Sequence, residues 1–187
     1  DCKHYLRDFG KEVPCFSVPY SAIGKPDKYK IRSYPGKSFA WSGGGADTLL
    51  GINKINPEET VYIVEGEVDY LTMKEYGFSN VLSVPNGAPM KVSNNAIDPT
   101  EDSKFKFLAE SIDILKLVKK FVIATDGDSP GTILGEELAR RLGRSRCWKV
   151  NFPVAATEKD ANAYLTVHGS TEFIDLVNKA TPWPIAG

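Results

Sequence analysis

The chain has 187 residues, of which 42% are hydrophobic and 25% charged, a composition that supports a packed core and excludes a disordered polymer. Its 23 basic and 24 acidic residues leave a net charge of −1, which excludes a polycationic tail. A neutral total still permits a basic face beside an acidic site. Before residue 60, Gly and Pro are frequent and apolar residues fall in short groups, Cys15–Val18, Tyr29–Tyr34 and Ser38–Trp41, that alternate with a period near two. That pattern predicts a small antiparallel β unit, with Tyr29–Trp41 a hairpin bent at Pro35-Gly36 and 42–45 a loop.

After residue 60 strands and helices alternate. Val61–Val64 is a continuous apolar run suited to a buried parallel strand. Glu67–Tyr76 has helical composition, with Val68, Leu71 and Met73 apolar and Gly77 where a C-terminal cap belongs. Val81–Val84 reads as a second strand stopped by Pro85, and 86–99 as a long polar loop of the functional kind. Phe105–Lys119 reads as one amphipathic helix through Leu108, Ile112, Leu115 and Val118. Phe121–Ala124 is a third strand, Thr132–Leu142 a helix, Cys147–Phe152 a fourth strand and Thr171–Lys179 a last helix. The order predicts an α/β fold: a parallel sheet with helices on both faces, whose ligands sit beyond the C-terminal ends of the strands. A small β-rich lobe over 1–59 precedes an α/β domain over 60–187.

Two strands end in acid. Val64 runs into Glu65-Gly66-Glu67 with Asp69 close behind, and Thr125 into Asp126-Gly127-Asp128. In a parallel sheet both clusters emerge on one edge, where gathered carboxylates repel one another unless a cation lies between them. A small group of hard oxygen ligands is what Mg²⁺ takes when it also binds phosphates. Asp160, in Lys159-Asp160-Ala161-Asn162, is a further acidic candidate in the loop after the fourth strand. A plainer reading stands beside this one: acids in a first helical turn complement the dipole, and Asp128 can cap the helix that follows.

The glutamate after the first strand and the Asp-x-Asp after the third, Glu65 and Asp126-Gly127-Asp128, resemble the TOPRIM domain of DnaG-type primases, topoisomerases and some nucleases. Ile63–Asp69, Lys159–Asn162 and Ala180–Trp183 look like the primase half of phage and Twinkle-type primase-helicases, and Tyr29–Arg32 with Gly36–Phe39 like that family's basic N-terminal lobe. The resemblance implies a basic N-terminal lobe over 1–59, a TOPRIM (Rossmann-like) fold in a catalytic domain over 60–187, and a DNA primase that makes short RNA primers on single-stranded DNA from ribonucleoside triphosphates. It implies Mg²⁺ or Mn²⁺ held by Glu65, Asp126, Asp128 and Asp160, with Glu65, Asp126 and Asp128 catalytic and Glu65 a metal ligand or general acid/base. Lys30, Arg32, Lys37, Lys159 and Asn162 would bind nucleotide or template, and a replicative helicase, fused or separate, would be the partner. Neighbouring Glu67 and Asp69 could raise the pKa of Glu65.

Two alternatives keep the same carboxylates: a TOPRIM nuclease, and a non-catalytic nucleic-acid-binding module. A topoisomerase lacks support, since no separate domain offers a nucleophilic tyrosine. Arg140, Arg141, Arg144, Arg146 and Lys149 form a second basic cluster, read as a solvated helix end or a backbone-tracking surface. Gly36-Lys37-Ser38 is not a phosphate loop, because the earlier glycine that motif needs falls at Ile31. His168 reads as a surface residue and Trp183 as a packing anchor. Cys2, Cys15 and Cys147 form no Cys-x-x-Cys pair, and Cys2, His4 and Cys15 fit no zinc spacing. No apolar run approaches the roughly 18–20 residues of a membrane span, and no signal peptide opens the chain. The expected location is the cytoplasm of a bacterial or phage-infected cell, or an organellar matrix, without secretion or membrane contact. A first residue other than methionine suits a piece of something longer.

Overall fold

The computed structural model describes residues 2–21, 27–34, 36, 38–44, 47–87, 91 and 102–185. Lys37, Pro35, Gly45 and most of the 86–99 loop, all singled out in the sequence, lie outside them. The first half of the chain builds an antiparallel meander of four strands in sequence order: β1 (Cys2–Leu6), β2 (Lys11–Tyr20), β3 (Lys28–Ser33) and β4 (Phe39–Trp41). The hairpin expected across Tyr29–Trp41 is present, with Lys30 opposite Trp41 and Arg32 opposite Phe39. β1 was not predicted; its residues, Cys-Lys-His-Tyr-Leu, carry little alternation of their own and are placed by pairing with β2. Side chains alternate across a strand. One face of the meander therefore gathers Leu6, Val13 and Cys15 into a small core, and the other directs Tyr20, Val18 and Trp41 onto the second sheet.

That second sheet holds β5 (Val61–Val64), β6 (Val81–Ser83), β7 (Phe121–Ala124), β8 (Cys147–Lys149) and β9 (Thr181–Pro182), in the order β6-β5-β7-β8-β9. The first four strands run parallel and β9 returns antiparallel against β8. Between them lie α1 (Glu67–Glu75), α2 (Lys106–Ala109), α3 (Ile112–Leu115), α4 (Ser129–Leu142) and α5 (Ala161–Asn178). Both faces of the sheet are covered. Val61, Ile63, Phe121 and Ile123 point into a core completed by Leu108 and Leu115 and by Leu134 and Leu138 of α4. Val64, Val122 and Ala124 point the other way, onto Tyr70 and Met73 of α1 and Phe173 and Val177 of α5.

Three helices depart from expectation. Phe105–Lys119 is not one helix: it breaks between α2 and α3, and Ile112 is exposed while Leu108, Leu115 and Val118 are buried. The spacing of Leu108, Ile112, Leu115 and Val118 fits one continuous helix and carries no mark of the turn between α2 and α3 that leaves Ile112 outside. α5 is two helices that meet at Gly169, where φ is +83°: the second is the helix expected over Thr171–Lys179, and a further one, capped by Asp160, precedes it from Ala161. Consequently Asp160 stands at a helix N-terminus and not in a free loop. α1 is inverted relative to its pattern: Val68 and Leu71 are exposed, while Glu67 and Asp69 are buried with Tyr70 and Met73.

Three arginines of the second basic cluster are engaged within the fold. Arg141 pairs with Asp102 and Glu137, Arg144 with Glu136, and the Arg146 guanidinium donates to the carbonyls of Leu115, Lys116, Val118 and Leu142. Trp183 is buried and donates its indole N–H to Glu136, as a packing anchor should. His168 stacks on Tyr164 and pairs with Glu158 at the surface. Among the described residues no helix is long and apolar enough to cross a membrane.

Candidate active site

The chain places β6 on one side of β5 and then crosses to place β7 on the other. This reversal opens a crevice at the C-terminal ends of β5 and β7, where a parallel sheet leaves room for a ligand. Val64 is level with Ala124 in the register, so the two strands deliver Glu65 and Asp126 to the same edge. Here lies a cavity of roughly 470 Å³ whose lining includes Glu65, Gly66, Glu67, Asp69, Asp126, Asp160 and Asn162. Lys30, Arg32 and Phe39 of the meander, with Asn86 and Gly87, close its other side.

The Asp-Gly-Asp turn is held by contacts that admit only glycine. A Cβ at Gly127 would stand 2.3 Å from the Pro153 carbonyl oxygen, and one at Gly131 would stand 2.3 Å from that of Asp126. Gly127 donates its N–H to the Lys159 carbonyl at 2.6 Å, which ties the turn to the segment leading into α5. Asp128 caps α4, its Oδ1 accepting from the Gly131 N–H at 3.0 Å. Asp160 caps α5 in the same way through the Ala163 N–H at 2.7 Å. Each capping carboxylate thus commits one oxygen to its helix. Asp128 and Lys159 stand beside the cavity without lining it.

Lys159 Nζ bridges the two aspartates of the turn, 2.7 Å from Asp126 Oδ2 and 2.5 Å from Asp128 Oδ2. These bonds hold its pKa well above the ordinary lysine value. Glu65 is different: its Oε2 is buried and has no hydrogen-bond partner. Burial, then the charge of Asp126, with Asp128 adding, push Glu65 up to about 7. Asp69 is also pushed up to about 7, by burial and then by Asp160, Asp126 and Glu65, although it accepts the Asn162 N–H at 3.1 Å. Burial raises Asp126 as well, opposed by Lys159. Sequence reasoning named Asp69 only as a neighbour of Glu65. Its place in the first turn of α1, four residues after Glu65, was the available signal, because that offset turns it back toward the strand end.

Glu67 does something the sequence did not suggest. Fully buried, it accepts from Tyr20 Oη at 2.6 Å, Lys30 Nζ at 2.7 Å and Arg32 at 2.8 Å. Burial alone would raise its pKa, but Lys30, Tyr20 and Arg32 together hold it below the usual carboxylate value. Its negative charge is therefore neutralised by the meander, and the groups that raise Glu65 are burial, Asp126 and Asp128. The expectation that Glu67 tunes Glu65 is corrected accordingly. Lys30 and Arg32 do face the acidic edge, as expected, yet the Lys30 ammonium is already engaged by Glu67 and by the Pro85 carbonyl at 3.0 Å. Burial lowers the Lys30 pKa, and Glu67 opposes that shift without overcoming it.

A divalent cation fits this donor set in chemistry: Glu65 presents an orphaned buried oxygen, and the carboxylates around it are raised by burial and one another's charge. As the side chains stand, no three His, Cys, Asp or Glu among the described residues converge on one ion position, and the Lys159 ammonium sits between two of them.

Residues 59–151 match the Toprim domain family. The chain is 47% identical over 144 residues to the Twinkle homolog protein, chloroplastic/mitochondrial, of Arabidopsis thaliana, covering 74% of this chain and 20% of that protein. It is 42% identical over 153 residues to the primase homolog protein of the same plant, covering 80% of this chain and 45% of that one. It therefore spans less than half the length of either relative. Among solved structures, the primase domains bound to an RNA/DNA hybrid and dTTP in a bacteriophage T7 lagging-strand polymerase complex share the fold, with a TM-score of 0.68 at 22% identity over 89% of this chain and 78% of that one.

Proposed function

Residues 59–151 of this chain are a Toprim domain with relatives among Twinkle and primase homologues, and from that premise we propose that its carboxylate cavity is the nucleotidyl-transfer centre of a DNA primase. The reaction would join ribonucleoside triphosphates into short RNA primers on single-stranded DNA, with Mg²⁺ or Mn²⁺ as cofactor and a replicative helicase, fused or separate, as partner. An organellar matrix or the cytoplasm is the proposed location, the first in keeping with a relative named chloroplastic/mitochondrial. The observation that carries the reading is the orphaned, buried Oε2 of Glu65, in a cavity that it shares with Asp69, Asp126 and Asp160.

Glu65, Asp126, Asp128 and Asp160, with Asp69 added from the geometry, would hold the metal. A divalent ion there supplies charge stabilisation at the transferring phosphoryl group. The protein's own part is positioning and proton handling. Glu65 serves either as a ligand of the ion or as the base that takes the proton of an attacking hydroxyl, a task worth roughly 10²–10⁴-fold, for which its pKa of about 7 without metal is suited. Lys30 and Arg32 line the cavity from the meander, Lys159 and Asn162 stand at the start of α5, and in this reading they bind triphosphate or template together with Lys37. The lobe of residues 1–59 would deliver the first set and the domain of 60–187 the acids.

Primer synthesis on single-stranded DNA with labelled ribonucleotides tests this. Glu65→Gln and Asp126→Asn should each lower oligoribonucleotide yield at least a hundredfold, and full retention in both overturns the reading. One observation favours a second reading, a nucleic-acid-binding module without catalysis: the Lys159 ammonium already bridges Asp126 and Asp128. Measurable oligonucleotide binding without Mg²⁺ binding would select it.

A further inference from the structure

Phe39 has no part in the scheme above, although it lines the same cavity. Phenylalanine on a short strand ordinarily turns inward, yet Phe39 is 48% exposed. It stands opposite Arg32 in the register, and side chains of directly paired residues share a face of the sheet. Lys30 Nζ lies 4.7 Å from the centre of its ring, and the same ammonium lies 5.5 Å from that of Trp41. An exposed aromatic ring thus sits beside a lysine ammonium in the lining of the cavity that the carboxylates share.

We propose that Phe39 is a base-stacking platform, on which the nucleobase of a bound nucleotide rests while its phosphates lie toward Arg32 and the acidic edge. This rests on the nucleotide reading of the cavity and names which part of the ligand the aromatic side chain holds. Each element has a physical reason. A nucleobase presents a flat face that an aromatic ring can cover whatever the base, and an adjoining cation suits the phosphates attached to it. Exposure of the ring to water in the absence of ligand is removed when the base covers it. The register explains the arrangement: because Arg32 and Phe39 are direct partners, a ligand that stacks on one is within reach of the other.

The test separates base from phosphate. With Mg²⁺ present, binding of ATP is measured against inorganic tripolyphosphate, and binding of a single-stranded dT oligonucleotide against an abasic oligonucleotide of equal length. Phe39→Ala and Phe39→Leu should weaken ATP, the oligonucleotide or both by roughly 5- to 100-fold. Both variants should leave tripolyphosphate and the abasic strand unchanged, and Phe39→Trp should restore binding. The arm that responds tells whether the base belongs to an incoming nucleotide or to a strand. Equal losses on the base-containing and base-free probes, or no loss on any probe, overturn the platform. Asp126→Asn provides the contrast, since it should weaken tripolyphosphate and ATP alike. Failure of the wild-type chain to bind any of the four probes would overturn the nucleotide reading itself, and the platform with it.

Discussion

Removing the carboxylate of Glu67 should be among the most damaging single changes outside the apolar core. Glu67 is fully buried and accepts from Tyr20, Lys30 and Arg32, so Glu67→Ala strands a buried ammonium and leaves the tyrosine hydroxyl without its acceptor. Breaking a buried ion pair from one side typically costs about 3–5 kcal/mol, because the surviving charge stays desolvated. The Arg32 side chain is 21% exposed and can recover water, so Lys30, at 7%, carries most of the loss. For a chain of this size each kcal/mol lowers Tm by about 2–4 °C, which places the expected shift at roughly 6–20 °C. Glu67→Gln retains an acceptor for Tyr20 and should lose about half as much stability. Lys30→Met combined with Glu67→Gln should be more stable than the sum of the two single changes implies, by about 1–3 kcal/mol. Thermal and urea unfolding of the four proteins closes the cycle. A loss below about 1 kcal/mol for Glu67→Ala, or strict additivity of the pair, would refute the argument that this carboxylate joins the meander to α1.

The remaining predictions concern the acidic edge. Glu65 and Asp69 have folded-state pKa values of about 7, above their ordinary 4.5 and 3.8, so between pH 4 and 7 the folded chain holds protons that the unfolded chain has released. Stability without metal should therefore fall as pH rises through that window and stay low above it; added Mg²⁺ should restore it at pH 8, and equal melting temperatures at pH 5 and 8 without metal would contradict this. Gly131→Ala forces a Cβ against the Asp126 carbonyl and should cost about 1–3 kcal/mol while weakening Mn²⁺ binding, as unfolding and metal titrations would detect. Lys159→Met removes the cation bridging Asp126 and Asp128, so it should lower stability in the absence of metal and tighten Mn²⁺ affinity. Weaker affinity would mean that Lys159 supports the ion and does not compete with it.

What could be read from sequence was whatever depends on neighbours along the chain. Val61–Val64 and Phe121–Ala124 are apolar runs that each end in acid, and the logic of parallel sheets then brings Glu65 and Asp126 together, as the register does. The opposite fates of Glu65, Glu67 and Asp69 were not legible. Glu67 is set by Tyr20 and Arg32, far upstream, and Asp69 by the Asn162 N–H, far downstream. No local pattern encodes such pairings. The helix expected over Thr171–Lys179 is the part of α5 beyond Gly169; the part before it, 161–168, is only about two turns long, and its start signal, the Asp160 cap, has the same look in sequence as an acidic ligand. The break between α2 and α3 is not legible because the four-and-three spacing of Leu108, Ile112, Leu115 and Val118 suits a continuous helix, whereas the chain turns between them and leaves Ile112 exposed.

Crystals of the chain soaked in Mn²⁺ and measured at the manganese absorption edge would test the central claim most directly. The account predicts an anomalous peak bounded by Glu65 Oε2 and the Asp126 carboxylate, with the Lys159 ammonium displaced from between Asp126 and Asp128. A cavity without a peak at saturating Mn²⁺, with Lys159 still bridging the two aspartates, would contradict it.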